Sequence, residues 1–212
     1  MNKHALFSLF ACFWLLLSPV LSEETLGINL EGYDYPYQVK RYNFRSQQQK
    51  LSMAYQYEKS PRPNGTTVLL LHGKNFNGAY WGETMKTLLA EGYDVIVPDQ
   101  IGFGKSTKPE SYHYTFQQLA QNTRNMLEKE GIQRCVVLGH SMGGMLATRY
   151  ALMYPQNTEK LILLNPIGLE DWKLKVPYVG VDKWYEQELK KSAEGIKKYQ
   201  LESYYFGEWN KK

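Results

Sequence analysis

The stretch CVVLGHSMGG, Cys135–Gly144, runs from a short apolar segment directly into a serine that stands between glycines. The apolar segment is typical of a buried strand, and the residues after Ser141 have the apolar spacing of a helix. Because Gly139 and Gly143 lack Cβ atoms, the chain can turn sharply there and the helix can pack close to the strand. Such a turn projects the serine hydroxyl toward the first N–H groups of the helix, an arrangement that suits a nucleophile. The alternative is a serine that only caps the helix.

The same kind of apolar run recurs on both sides of this stretch and alternates with helical patterns. Four runs predict buried strands, at 68–73, 93–99, 135–139 and 160–166. Helical spacing fills the intervals at 81–91, 115–132 and 142–155. Upstream, KLSMAYQYE at 50–58 alternates with a period of two and can pair with the aromatic stretch 32–44 as an antiparallel hairpin. The pattern predicts an α/β fold with a mostly parallel sheet and helices on both faces.

Composition limits the classes of function that remain open. The chain has 212 residues, of which 43% are apolar and 22% charged, which allows one domain with a sizeable core. A formal net charge of +4 is too small and too dispersed for nucleic-acid binding. Cys135 lies in an apolar run, so we expect a small buried hydrophobic residue rather than a reactive thiol.

The first 22 residues differ from the rest of the chain. A basic start at Lys3 precedes an apolar run that ends at Leu17, and small residues precede Glu23. This pattern predicts a signal peptide, residues 1–22, cleaved after Ser22. The apolar run is short for a membrane span, which needs about 20 residues. We therefore expect an exported protein, periplasmic or secreted, without stable membrane insertion after cleavage.

Three motifs together resemble the α/β-hydrolase superfamily, of the cap-bearing serine esterase and carbon–carbon hydrolase type. They are LLLHGKNFNGAYW, PDQIGFGKS and GHSMGG, and their order and spacing match that family from about Tyr33 to Asn165. The resemblance implies that Ser141 is the catalytic nucleophile. It also implies an oxyanion hole formed by the backbone N–H of Met142 and that of Lys74, with Asn75 as the alternative to Lys74. A lysine departs from the family pattern here, but only its backbone N–H is required.

The resemblance further implies that residues 23–167 form an incomplete hydrolase core and that residues 168–212 begin a helical cap. That segment is rich in aromatic residues: Trp172, Tyr178, Trp184, Tyr185, Tyr204, Tyr205, Phe206 and Trp209. They favour a small-molecule substrate with an apolar or aromatic acyl group. The alternative is that they only pack the cap helices onto the core.

The general base of a catalytic triad is missing from the sequence. In the family the acid and then the histidine follow the serine, yet no histidine occurs after His140. Asn165 occupies the position where some members carry the acid. We expect either the N-terminal part of a longer enzyme, cut within its cap, or a complete but degenerate protein. In both cases the 212-residue polypeptide is expected to be inactive or nearly so. His72 and His140 are expected to be structural.

The implied activity is hydrolysis of an ester, as in a carboxylesterase, with no metal and no organic cofactor. Cleavage of a carbon–carbon bond next to a carbonyl, a cofactor-free haloperoxidase-like reaction and a degenerate, non-catalytic domain remain as alternatives.

Overall fold

The computed structural model describes residues 26–171, 174–205 and 207–208. The predicted signal peptide and the aromatic residues Trp172, Phe206 and Trp209 lie outside the described residues. Cys135 is buried, as predicted, at the start of a central strand.

A six-stranded sheet forms the centre of the molecule and confirms the predicted α/β fold. Its strands are β1 (Val39–Ser46), β2 (Gln49–Glu58), β3 (Thr67–Leu71), β4 (Asp94–Pro98), β5 (Cys135–His140) and β6 (Thr158–Leu164). The strand order is β1-β2-β4-β3-β5-β6, in which β4, β3, β5 and β6 run parallel. The hairpin β1–β2 adds two antiparallel strands at one edge, as its period-two pattern predicted.

Helices cover both faces of this sheet, again as predicted. They are α1 (Gly82–Ala90) on one face and α2 (Phe116–Lys129) and α3 (Met142–Met153) on the other. Two further helices, α4 (Val181–Leu189) and α5 (Ala193–Ser203), follow β6 in sequence. In β3, Val68 and Leu70 face the core cluster that contains Met85 of α1. The alternate residues of that strand face the larger cluster, which contains buried side chains of α2 and α3. The continuous apolar runs are thus explained by burial on two faces.

β6 is paired with β5 but is not buried, which corrects the expectation of a fourth buried strand. Leu161, Ile162 and Leu164 are 39%, 44% and 45% exposed. Within the described residues, β6 is the outer strand of the sheet, so its far side meets no further strand. An apolar composition therefore predicted the strand correctly but not its degree of burial.

Beyond β6 the chain continues into α4 and α5, whose residues are mostly exposed. Ser192 caps α5 by accepting a hydrogen bond from the Gly195 N–H. None of the helices within the described residues combines the length and the apolar character that crossing a membrane requires. The boundary between core and cap at residue 167 stays a prediction.

Candidate active site

Ser141 connects β5 to α3 in a backbone conformation that is unfavourable for residues with a side chain. Its φ is 55° and its ψ is −118°, in the region that normally favours glycine. It occupies the N-cap position of α3, yet its side chain makes no capping hydrogen bond. The serine therefore does not act as a helix cap in this structure. Strain of this kind costs about 1–3 kcal/mol and persists only where the surroundings enforce it.

The neighbouring glycines enforce this turn by allowing close approach. A Cβ atom on Gly139 would lie 2.0 Å from the Gly143 carbonyl oxygen, and one on Gly143 would lie 2.2 Å from the Leu71 carbonyl oxygen. Neither contact leaves room for a side chain. The helix thus packs against two strands at backbone distance, as the glycine spacing predicted, although Ser141 rather than either glycine carries the positive φ.

The end of β6 holds the turn by main-chain hydrogen bonds. The Ser141 N–H donates to the Leu164 carbonyl at 3.2 Å, and the Ser141 carbonyl accepts from Gly144 and Ile167 at 2.9 and 3.2 Å. Both backbone groups of the serine are therefore engaged in hydrogen bonds.

The loop after β3 lies against this turn. An ideal Cβ on Gly73 would be 3.3 Å from the Ser141 Cβ and 3.3 Å from His140 Nδ1. Lys74 follows directly, with an exposed side chain that pairs with Glu188 of α4 at 3.1 Å. Within the described residues, neither the Lys74 nor the Met142 backbone N–H donates a hydrogen bond. The two candidate oxyanion donors thus come from segments that meet at Ser141.

His72 anchors that loop, and both of its ring nitrogens make hydrogen bonds to the backbone. Its Nδ1 lies 2.9 Å from the Gly73 carbonyl, and its Nε2 accepts from the Gln100 N–H at 3.0 Å. A carbonyl oxygen can only accept, so Nδ1 carries the proton and the ring is neutral. Burial lowers the pKa of His72, which agrees with a neutral ring.

Asp99, at the end of β4, organises the neighbouring loops and was not singled out by the sequence. Its buried carboxylate accepts hydrogen bonds from the Tyr35 hydroxyl, the Gly78 N–H and the Lys105 N–H, at 2.6, 2.6 and 2.7 Å. An aspartate directly after a buried strand was the available signal, because the carboxyl ends of parallel strands meet at one edge.

One cavity adjoins the turn, and a second adjoins the loop after β3. One has a volume of about 410 Å³ and is lined by Met142 together with Phe103 and residues that begin α2. The other has a volume of about 270 Å³ and lies between the loop after β3 and α5, with Lys74, Asn75 and Lys191 in its lining. Among the described residues, no three histidine, cysteine, aspartate or glutamate side chains are grouped so that they could hold a metal ion.

The sequence profile of the alpha/beta hydrolase fold matches residues 66–191, which include the loop after β3, the turn at Ser141 and the helices α2 and α3. The chain belongs to the alpha/beta hydrolase family.

Relatives of known structure or name lie within this alpha/beta hydrolase family. A crystal structure described as a "probable hydrolytic enzyme" of Pseudomonas aeruginosa PAO1 superposes with a TM-score of 0.82 at 56% identity, covering 86% of this chain and 59% of that one. Lipase 1 of Psychrobacter immobilis is 36% identical over 124 residues, 57% of this chain and 37% of the lipase. The 2-hydroxy-6-oxo-6-phenylhexa-2,4-dienoate hydrolase of Burkholderia cepacia is 35% identical over 108 residues, 50% of this chain and 38% of that enzyme. Each match spans less than two thirds of the relative.

The described residues of this alpha/beta hydrolase offer few candidates for the base and the acid of a triad. His140 Nδ1 lies 3.2 Å from the Tyr80 hydroxyl, and its ring is close to those of Phe76 and Trp81. Burial lowers the pKa of His140, which favours the neutral form of its ring. On the acid side, Glu170 pairs with Lys175 at 2.6 Å on an exposed surface.

Proposed function

We propose that this chain carries the nucleophile and the oxyanion hole of a serine hydrolase that acts on carboxylic esters. Ser141 is the nucleophile, and the backbone N–H groups of Met142 and Lys74 stabilise the negative oxygen. Two features of Ser141 carry the proposal: its backbone is strained, and its side-chain hydroxyl makes no capping hydrogen bond to α3. Conformational strain of this kind is concentrated at functional sites.

The proposed reaction proceeds in two steps. The Ser141 hydroxyl attacks the ester carbonyl carbon and gives up its proton to a base, while the carbonyl oxygen becomes an oxyanion held by the two N–H groups. The tetrahedral intermediate expels the alcohol, which takes the proton, and leaves an acyl-serine. Water then attacks the acyl group in the same way and releases the acid. These steps require neither a metal ion nor an organic cofactor.

The described residues provide no evident general base for this reaction. Both ring nitrogens of His72 are bonded to backbone, and no histidine follows His140. We therefore propose that the 212-residue polypeptide hydrolyses esters very slowly or not at all. Loss of a triad member typically leaves about 10³–10⁴-fold acceleration over water, from binding and the oxyanion hole.

The experiment supplies the missing base from solution. Purified protein is treated with a fluorophosphonate with and without added imidazole, and the modified residue is identified by mass spectrometry. We expect modification at Ser141, accelerated by imidazole and abolished in Ser141→Ala. Ser111→Ala, which removes an exposed hydroxyl elsewhere, is the matched control and should be modified normally. Modification that survives Ser141→Ala, or a folded protein that remains unmodified with imidazole, would refute the proposed role of Ser141.

A second reaction of the same site is cleavage of a carbon–carbon bond next to a carbonyl. The relative in Burkholderia cepacia is named as a hydrolase of a compound with a keto group and no ester. Ser141 and the two N–H groups would serve that reaction unchanged, because both reactions pass through an oxyanion. With imidazole present, release of para-nitrophenol from an ester but no cleavage of a vinylogous 1,5-diketone supports the esterase; the reverse supports the alternative.

Export is proposed from the sequence of residues 1–22 alone. N-terminal sequencing of the protein recovered from an expressing bacterium tests it. A mature chain that begins at Glu23 would support cleavage after Ser22, and an intact leader in the recovered protein would contradict it.

A further inference from the structure

A further cavity lies on the β1–β2 hairpin, at the edge of the sheet opposite β6. Its volume is about 470 Å³, which falls within the range of small-molecule sites. The two strands supply most of its lining, including the cationic side chains of Arg45 and Lys50, and the loop after β4 adds Thr107. No carboxylate contributes to that lining. The cavity is therefore positively charged.

This hairpin cavity is remote from the proposed active site. Three strands, β2, β4 and β3, separate β1 from β5, the strand that leads into Ser141. At the usual spacing between strands the separation of β1 and β5 is about 19 Å. A ligand in the hairpin cavity would thus not take part in chemistry at Ser141.

The strand register brings the two cationic side chains together. Arg45 and Lys50 stand directly opposite each other in the hairpin, and Asn43 and Ser52 form the next opposed pair on the same face. All four residues line the cavity. Like charges that are directly opposite destabilise a pair of strands. An anion bound between Arg45 and Lys50 would remove this repulsion.

Most hydrogen-bond donors of these four side chains have no partner in the protein. Arg45 donates from Nη2 to the Gln48 carbonyl at 3.2 Å, which leaves the rest of its guanidinium unused. Among the residues that the structure describes, the side chains of Lys50, Asn43 and Ser52 make no hydrogen bond and no ion pair. Guanidinium and ammonium groups contain donors but no acceptor, so the ligand they suit is rich in acceptor oxygens.

We propose that the hairpin cavity is a binding site for a phosphate monoester held between Arg45 and Lys50. A phosphate monoester carries a charge of about −1.5 to −2 at pH 7, which matches two neighbouring cations. The guanidinium can bind two phosphate oxygens at once, and the Asn43 amide and the Ser52 hydroxyl can donate to the others. The inference does not depend on the proposed function of Ser141.

The cavity also has room for the group that carries the phosphate. A soluble phosphate ester and a lipid headgroup that ends in a phosphate share the chemistry recognised here. The two sources differ in whether the ligand is free in solution or part of a membrane surface, so binding experiments can separate them.

Binding is measured on the full chain with two probes. Isothermal titration calorimetry with glycerol 3-phosphate tests a soluble ester. Sedimentation with phosphatidylcholine vesicles, with and without phosphatidic acid, tests a lipid headgroup. We expect saturable binding of at least one probe. Binding of glycerol 3-phosphate alone supports a soluble ligand, binding that requires phosphatidic acid supports a lipid, and binding of both supports a phosphate site open to either source.

Single substitutions test whether the opposed pair holds the phosphate. Arg45→Gln and Lys50→Gln should each weaken binding about tenfold or more, because each removes a hydrogen bond between charged groups. Lys160→Gln is the matched control, since it removes the same charge from an exposed position of β6, at the opposite edge of the sheet. This control should bind as the parent does.

Lys50→Glu separates binding from folding. It replaces the like-charge pair with two opposite charges, so we expect unfolding at a higher urea concentration together with loss of phosphate binding. A variant that is more stable and yet does not bind cannot have lost the site by unfolding.

Three results would overturn the inference. The first is the absence of saturable binding of either probe. The second is a loss of affinity in Lys160→Gln equal to that in Lys50→Gln, which would mean that only the overall charge attracts the ligand. The third is undiminished binding in Lys50→Glu. Each of these results leaves the modification of Ser141 by a fluorophosphonate unaffected, so the proposed function is tested separately.

Discussion

The Lys74 ammonium lies 3.1 Å from the Glu188 carboxylate and joins the loop after β3 to α4. Lys191 donates to the same carboxylate at 2.7 Å. Hydrogen bonds from Lys191 and Lys74 lower the pKa of Glu188. The loop that supplies a proposed oxyanion donor is thus tied to a helix that follows the sheet in sequence. The side chain that made Lys74 unusual for its position is directed to this ion pair.

Removing this link should loosen α4 without unfolding the core. In Glu188→Gln we expect faster hydrogen exchange in α4 and in residues 74–77, with a change in unfolding free energy below about 1 kcal/mol, because exposed ion pairs contribute little. Hydrogen-exchange mass spectrometry measures the first quantity and urea denaturation the second. Glu186→Gln, which removes a neighbouring charge on α4, is the control and should exchange as the parent does.

The effect of Glu188 should also depend on pH. A carboxylate with a lowered pKa stabilises the folded contact above the ordinary glutamate pKa, and this contribution is lost as the pH falls through the lowered value. The exchange difference between the parent and Glu188→Gln should therefore be present at neutral pH and absent in acid. A difference that persists in acid would show that the link is not ionic.

The strain at Ser141 predicts an unusual order of stabilities. Glycine adopts a φ of 55° without a steric penalty, whereas alanine keeps the penalty that serine has. We expect Ser141→Gly to be more stable than Ser141→Ala by about 1 kcal/mol, because the relief of about 1–3 kcal/mol is partly offset by the greater freedom of glycine in the unfolded chain. Urea denaturation of the two variants gives the comparison directly. Equal stabilities would mean that the turn relaxes and that no strain is stored there.

The contacts of Gly143 predict the opposite response to an added methyl group. Gly143→Ala places a Cβ at 2.2 Å from the Leu71 carbonyl oxygen, so α3 has to move away from β3. We expect a loss of about 1–3 kcal/mol or more in unfolding free energy, the usual range for overpacking. Gly180→Ala is the matched control, since nothing lies within 4 Å of a Cβ at that position. A loss at Gly143 no larger than that at Gly180 would contradict the close approach of helix and strand.

The sheet and the turn could be predicted because their determinants are local. Continuous apolar runs marked the parallel strands, and a serine between small residues after one of them marked the turn into α3. Both patterns reflect steric and burial requirements that act within a few residues. The strand order and the short distance between the loop after β3 and Ser141 could be seen only in the structure.

Features that depend on distant segments were not readable from the sequence. The exposure of β6 depends on which strands lie beside it, and an apolar edge strand has the same composition as a central one. The pairing of Lys74 with Glu188 joins residues more than a hundred positions apart. The cavity beside Met142 forms where three separate segments meet. In each case the feature depends on residues that the fold brings together from distant parts of the sequence.

Substitution of His72 tests whether its hydrogen bonds anchor the loop that carries the second proposed oxyanion donor. His72→Phe keeps a ring of similar shape and leaves the Gln100 N–H and the Gly73 carbonyl without their buried partner. We expect a loss of about 2–4 kcal/mol in unfolding free energy, because each unsatisfied buried group costs about 1–3 kcal/mol. His113→Phe, at an exposed position, should change the stability by less than about 0.5 kcal/mol.

The pH dependence of the same variant separates hydrogen bonding from packing. The pKa of His72 is lowered from 6.5 mainly by burial, so the folded ring stays neutral while the unfolded chain takes up a proton as the pH falls below 6.5. The parent should therefore lose stability in that range by up to about 1.4 kcal/mol per pH unit from this group, and His72→Phe should lack this component. Urea denaturation between pH 7 and pH 5 provides the measurement, with His113→Phe as reference. Parallel stability curves for the parent and His72→Phe would mean that the buried ring accepts a proton. The assignment of His72 as a neutral ring with two hydrogen bonds would then be wrong.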